Sequence, residues 1–113
     1  MLDIIGGDVS TNPLDIYREF DPRLVESFNK LQELAFSEGA LPQKFKTLIA
    51  LAIDAETGSA QGATVLGRRA LKLGASKDEI IETLRVAYYV GGNRALFTSV
   101  QVLQNLFGKA QQP

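Results

Sequence analysis

The chain has 113 residues, 45% of them apolar and 22% charged, which is enough for one globular domain with its own core and is outside the disordered class. Twelve basic residues stand against thirteen acidic ones, so the net charge is −1 and no field of one sign marks the chain as a nucleic-acid binder. The absence of cysteine and histidine excludes disulfides and thiolate nucleophiles, and removes the commonest neutral-pH acid/base and transition-metal ligand; no cofactor or metal site is indicated.

Residues 1–11 mix Leu2, Ile4 and Ile5 with glycines and hydroxyl residues without a helical period, and read as an N-terminal arm. Asn12-Pro13 opens a short helix through Phe20 by pairing a cap with a proline at the first helical position, and Asp21-Pro22 repeats the device. The second helix carries Leu24, Phe28, Leu31 and Ala35 on one stripe until Glu38-Gly39 stops it. Leu41-Pro42 starts a third helix by the same proline logic. Its run from Thr47 to Ala55 is apolar almost all round, which places it in the middle of a bundle, and Glu56-Thr57-Gly58 ends it.

A helix rich in small residues follows, Ser59 to Leu73, with Ala63, Leu66, Gly67, Ala70 and Leu71 on one stripe and Arg68, Arg69 and Lys72 off it. After Gly74, Ser76-Lys77-Asp78-Glu79 has the form of a capping box. The helix it begins carries Ile80, Ile81, Leu84, Ala87 and Tyr88 and breaks at Gly91-Gly92; Asn93 then caps a last helix, Arg94 to Phe107, before a polar tail, 109–113. No useful segment alternates at period two. The expected fold is therefore all-α, a compact bundle of about five to six helices over residues 12–108.

The last helix has a stripe of Leu96, Val100, Leu103 and Phe107, with Phe97, Val102 and Leu106 on other sides. A terminal helix apolar beyond one face needs a second surface, either a groove of its own subunit or another copy, and self-association is the expectation. No apolar run approaches the ~18 residues of a membrane span, and Met1 to Gly7 have no basic leader, so a cytoplasmic location without membrane partners is expected.

Three stretches together, Lys46-Thr-Leu-Ile-Ala-Leu-Ala, Arg69-Ala-Leu-Lys-Leu-Gly-Ala-Ser-Lys-Asp-Glu-Ile-Ile-Glu and Ala87-Tyr-Tyr-Val-Gly-Gly-Asn-Arg-Ala-Leu, resemble the carboxymuconolactone decarboxylase family, which includes the alkyl hydroperoxidase D-like disulfide reductases. The resemblance runs from about Leu41 to Leu106 and implies a trimer or hexamer. The redox branch keeps a Cys-x-x-Cys-x-x-x-His signature at the start of the small-residue helix. Counted back from Gly74, its cysteines fall on Ser59 and Gly62, its histidine on Leu66, its accessory histidine on Gln61 and its glutamate proton acceptor on Thr47. Peroxidase activity transferred from the family is thus argued against, because a serine hydroxyl without a base cannot replace a thiolate.

These positions, Thr47, Ser59, Gln61, Gly62 and Leu66, mark where the family pocket would lie, either open to a small molecule or filled by the side chains themselves. Asp54 and Glu56 are two apart on a helix and point away from each other, so one is expected to pair with an arginine and the other to be a solvated end charge. Arg68, Tyr88 and Asp54 are possible substrate contacts, Arg68 for an anion and Tyr88 as a weak acid; of Tyr88 and Tyr89, one should be core. The leading expectation is a non-redox structural or ligand-binding homo-oligomer with no catalytic residues, the alternative a lactone-handling or decarboxylating enzyme using residues outside the family motif.

Overall fold

The computed structural model describes residues 13–108, so the arm 1–11, the cap Asn12 and the tail 109–113 lie outside the described residues. Six helices follow one another: α1 (Pro13–Phe20), α2 (Pro22–Phe36), α3 (Gln43–Thr57), α4 (Ala60–Lys72), α5 (Lys77–Gly91) and α6 (Asn93–Phe107). Among the described residues there is no strand, and no helix is long and apolar enough to cross a membrane.

Local chemistry sets most of the boundaries. The Asp21 carboxylate accepts the Leu24 amide at 3.1 Å, and Pro22 takes the first helical position of α2. At the start of α5 the Glu79 amide donates to Ser76 Oγ at 3.0 Å and the Ser76 amide to Glu79 Oε1 at 2.9 Å, so both arms of the capping box are made. Glu79 also meets Lys44 of α3 at 3.2 Å. The Ser76 amide first, then Lys44, hold its carboxyl below the usual glutamate range.

Two helix starts differ from expectation. Pro42 is extended, at φ −60° and ψ 151°, and stands before α3 as its cap, so the helix begins at Gln43. At the last helix Gly92, with φ 75° and ψ −151°, makes the turn itself, and Asn93 becomes the first helical residue without a side-chain cap. A positive φ costs glycine little, so the backbone at Gly92 fixes the entry and the asparagine is not needed there.

α3 packs against α4, α5 and α6 and forms the axis of the bundle. Leu51 and Ala55 are fully buried against Ala63, Leu66 and Ala70 of α4, Ile80, Leu84 and Ala87 of α5, and Ala95 and Val102 of α6. The small-residue stripe lets α4 and α6 approach closely: a Cβ on Gly67 would stand 2.6 Å from Leu106 Cδ1. α1 packs on α2, and α2 meets α3.

Much of the bulk points away from this core. In α2 only Val25 is buried, and the half-buried residues beside it are Asn29, Gln32 and Phe36. The expected packing stripe, Leu24, Phe28, Leu31 and Ala35, is one residue out of phase, about 100° round the helix, and exposed. The middle helix α3 likewise has an outer face: it reaches its three neighbours through Thr47, Leu48, Leu51 and Ala55, leaving Phe45, Ile49 and Ile53 exposed beyond them. In α6 the buried side is Ala95, Thr98, Ser99 and Val102, the smaller one, while Leu96, Phe97 and Val100 are exposed. Tyr88 and Tyr89 are both exposed, so neither is the expected core tyrosine; Ala87 takes that place.

Candidate functional site at the junction of α3 and α4

The turn between α3 and α4 brings Asp54, Ser59 and Gly62 together. Gly58, at φ 90°, closes α3, and the Asp54 carbonyl gathers the Ser59 amide at 2.8 Å and the Thr57 hydroxyl at 3.2 Å. The chain reverses directly into α4, so the Asp54 side chain leans on the first turn of that helix. A Cβ on Gly62 would stand 2.7 Å from Asp54 Oδ2 and 2.9 Å from Ser59 Oγ, so with glycine here both side chains keep these positions without a shift.

Asp54 is half-buried, and its carboxylate has no hydrogen bond or ion pair among the described residues. Burial raises its pKa above the usual aspartate value. Glu56 is the member of the pair that finds an arginine: Arg94 Nη2 lies 3.6 Å from Glu56 Oε2, and Arg94 Nε donates to the Glu56 carbonyl at 3.0 Å. A guanidinium on the last turn of α3 also suits the negative end of that helix. Asp54, the other member of the pair, is the unpaired carboxylate among the described residues here.

The five pocket positions divide. Thr47 is wholly buried, and its hydroxyl donates to the Gln43 carbonyl at 2.9 Å, satisfying itself on its own helix. Leu66 is a core residue packed with Leu51, Ala55 and Ala63. Ser59 and Gln61 are exposed, and Gly62 is half-buried under Asp54. Arg68 is exposed on α4, six residues beyond Gly62, which is about 9 Å along the axis and on a different side of the helix. Tyr88, one turn before the end of α5, is exposed and makes no hydrogen bond to Asp54. The accessible polar set is therefore Asp54, Ser59 and Gln61.

Arg94 belongs to this end of the bundle, which no local sequence pattern shows. Gly58 makes room for it: a Cβ there would stand 3.2 Å from Arg94 Cδ, so the same glycine that ends α3 admits the arginine.

The family model of the carboxymuconolactone decarboxylase family matches residues 22–105. The chain belongs to that family. A crystal structure of the apo form of a carboxymuconolactone decarboxylase family protein from Legionella pneumophila is similar to it at a TM-score of 0.80 and 32% identity, covering 88% of this chain and 90% of that one. An uncharacterized protein of Methanocaldococcus jannaschii is 23% identical over 100 residues, which are 88% of this chain and 94% of the relative. This family member is thus an all-helical, alkyl hydroperoxidase D-like protein whose sequence contains no cysteine and no histidine.

Proposed function

We propose that the chain is a non-redox member of its family, a homo-oligomer that binds a small molecule at the α3–α4 junction without thiol chemistry. The observation that carries this reading is the unpaired, half-buried Asp54 carboxylate, which lies over Gly62 beside the Ser59 hydroxyl where the family resemblance places a cysteine pair. A carboxylate beside a hydroxyl makes a group rich in acceptors, suited to a ligand that donates hydrogen bonds or carries positive charge. Thr47 and Leu66, buried in the subunit, take no part in that group.

The test has two arms. Dithiol-driven reduction of hydrogen peroxide should run at the uncatalysed rate; turnover above it would reject the non-redox reading. A set of small amines and amides, followed by amide chemical shifts, should perturb Ser59 to Ala63, and Asp54→Asn should weaken the best binder about tenfold, the worth of one charged hydrogen bond. Shifts elsewhere, or an unchanged affinity in the variant, would remove the site.

The raised pKa of Asp54 favours one second reading, in which the carboxylate acts as a base and removes a proton beside a lactone carbonyl. Incubation with a simple unsaturated lactone in deuterated water checks it: α-carbon exchange that Asp54→Asn abolishes is the expected result, and exchange equal to buffer would reject it.

A further inference from the structure

Arg94 ties the turn after α3 to the last helix. Within the turn the bonds are local: the Ser59 amide donates to the Asp54 carbonyl at 2.8 Å and the Gly58 amide to the Ala55 carbonyl at 3.3 Å. The Glu56 carbonyl is one of those that a helix end leaves without a partner in its own helix. Arg94 Nε of α6 donates to it at 3.0 Å. Two glycines make room for the stems that meet there. A Cβ on Gly58 would stand 3.2 Å from Arg94 Cδ, and a Cβ on Gly91, the last residue of α5, 2.5 Å from Glu56 Cγ. Gly92, at φ 75°, then starts α6 so that Arg94 is its second residue.

We propose that Arg94 is a positioning residue for the Asp54 site: its bond to the Glu56 carbonyl fixes the turn from which Asp54 and Ser59 reach Gly62. The proposal rests on the binding reading of that site and acts on it through the backbone, since the printed bonds of Arg94 go to Glu56 and not to Asp54. The carbonyl bond carries the effect rather than the ion pair. Arg94 Nη2 and Glu56 Oε2 are 3.6 Å apart on side chains 65% and 36% exposed, a pair of the kind that adds little in water. A donor on the carbonyl, by contrast, holds an atom of the chain itself, between Asp54 and Ser59. α4 packs through Ala63, Leu66 and Ala70 with or without Arg94, so the subunit stands in its absence. What Arg94 governs is the first turn of α4, where Ser59 and Gly62 lie.

Arg94→Met, Glu56→Gln and Lys44→Met separate position from charge and from general stability. Deuterium exchange at the Ser59 amide reads the turn itself. In Arg94→Met it should quicken about fivefold, the worth of one ordinary hydrogen bond, while Glu56→Gln, which keeps the carbonyl, should stay at the wild-type rate. Lys44→Met removes a tie from the other end of α3 and should also leave Ser59 unchanged. Position and charge act with opposite signs on the Asp54 carboxyl, which carbon NMR follows. Loss of the guanidinium charge alone would raise its midpoint; release of the side chain from Gly62 into water lowers it toward 3.8, the result expected for Arg94→Met. n-Butylammonium should bind Arg94→Met about fivefold more weakly than wild type. Wild-type exchange at Ser59 in Arg94→Met, a raised or unmoved Asp54 midpoint, or equal quickening in Glu56→Gln or Lys44→Met would overturn the positioning role. A wild-type protein that takes up no n-butylammonium would reject the binding reading instead, with exchange and titration still deciding the part played by Arg94.

Discussion

α4 and α2 are both amphipathic by sequence, yet they sit in the molecule in opposite ways. α4 buries six of its 13 residues, most of them small, and Gly67 on its stripe takes the tip of the Leu106 side chain from α6 where a methyl group would stand. α2 has 15 residues and larger apolar side chains, but buries only Val25. Side-chain bulk is thus a poor guide to what holds this subunit together. The closest packing comes from alanine and glycine on helices that approach each other, whereas the leucines and phenylalanine of α2 are held in reserve on the surface.

Substitutions can break or sharpen this contrast. Leu51→Ala, in the fully buried wall that α3 turns toward α4, should cost about 3 kcal/mol in urea unfolding; a loss below ~1 kcal/mol would mean that the bundle is loosely packed and the contrast false. Ser76→Ala removes one arm of the capping box and should cost about 1 kcal/mol, measured the same way. Leu31→Gln, on the outer side of α2, should stay within ~0.5 kcal/mol of wild type when unfolding is followed at high dilution. A loss as large as that of Leu51→Ala would place Leu31 in the core after all.

The smallest effect is expected at Asp54. Its carboxyl is raised above the ordinary value of 3.8 by burial, so the folded state holds its proton more tightly than the unfolded chain does. That contribution to stability is complete below the unfolded pKa and disappears as pH climbs through the folded one. Asp54→Asn should therefore gain slightly on wild type as pH rises above about 4, and thermal melts of both proteins from pH 3 to pH 7 would reveal it. Glu79 has the opposite sign. Its lowered pKa gives stability above 4.5 that is lost on acidification, so Glu79→Gln should flatten the acid limb that Asp54→Asn leaves in place.

Boundaries were legible in the sequence because they are set within a few residues: Asp21 reaches Leu24, Ser76 reaches Glu79, and Gly58 ends α3 by its own backbone freedom. Orientation was not legible. Periodicity shows that α2 has a seam at Leu24, Phe28 and Leu31, but it does not distinguish a seam closed within the chain from one left open, and the half-polar stripe of Val25, Asn29, Gln32 and Phe36 gave no sign of being the inner one. The same limit applies to the site. Ser59 and Gly62 could be located by register, whereas the arrival of Asp54 depends on the angle at which α4 leaves Gly58, which no local pattern encodes.

The contact between Asp54 and Gly62 also bears on what a pair of thiols would meet at the positions where the resemblance places the family's cysteines. Ser59→Cys with Gly62→Cys would bring the new Cβ at 62 to 2.7 Å from a carboxylate oxygen, which the aspartate side chain would have to turn away from. If the chain adjusted, that negative charge would still oppose formation of the thiolate beside it. A dithiol placed there would therefore ionise more readily with Asp54→Asn, which removes the opposing charge.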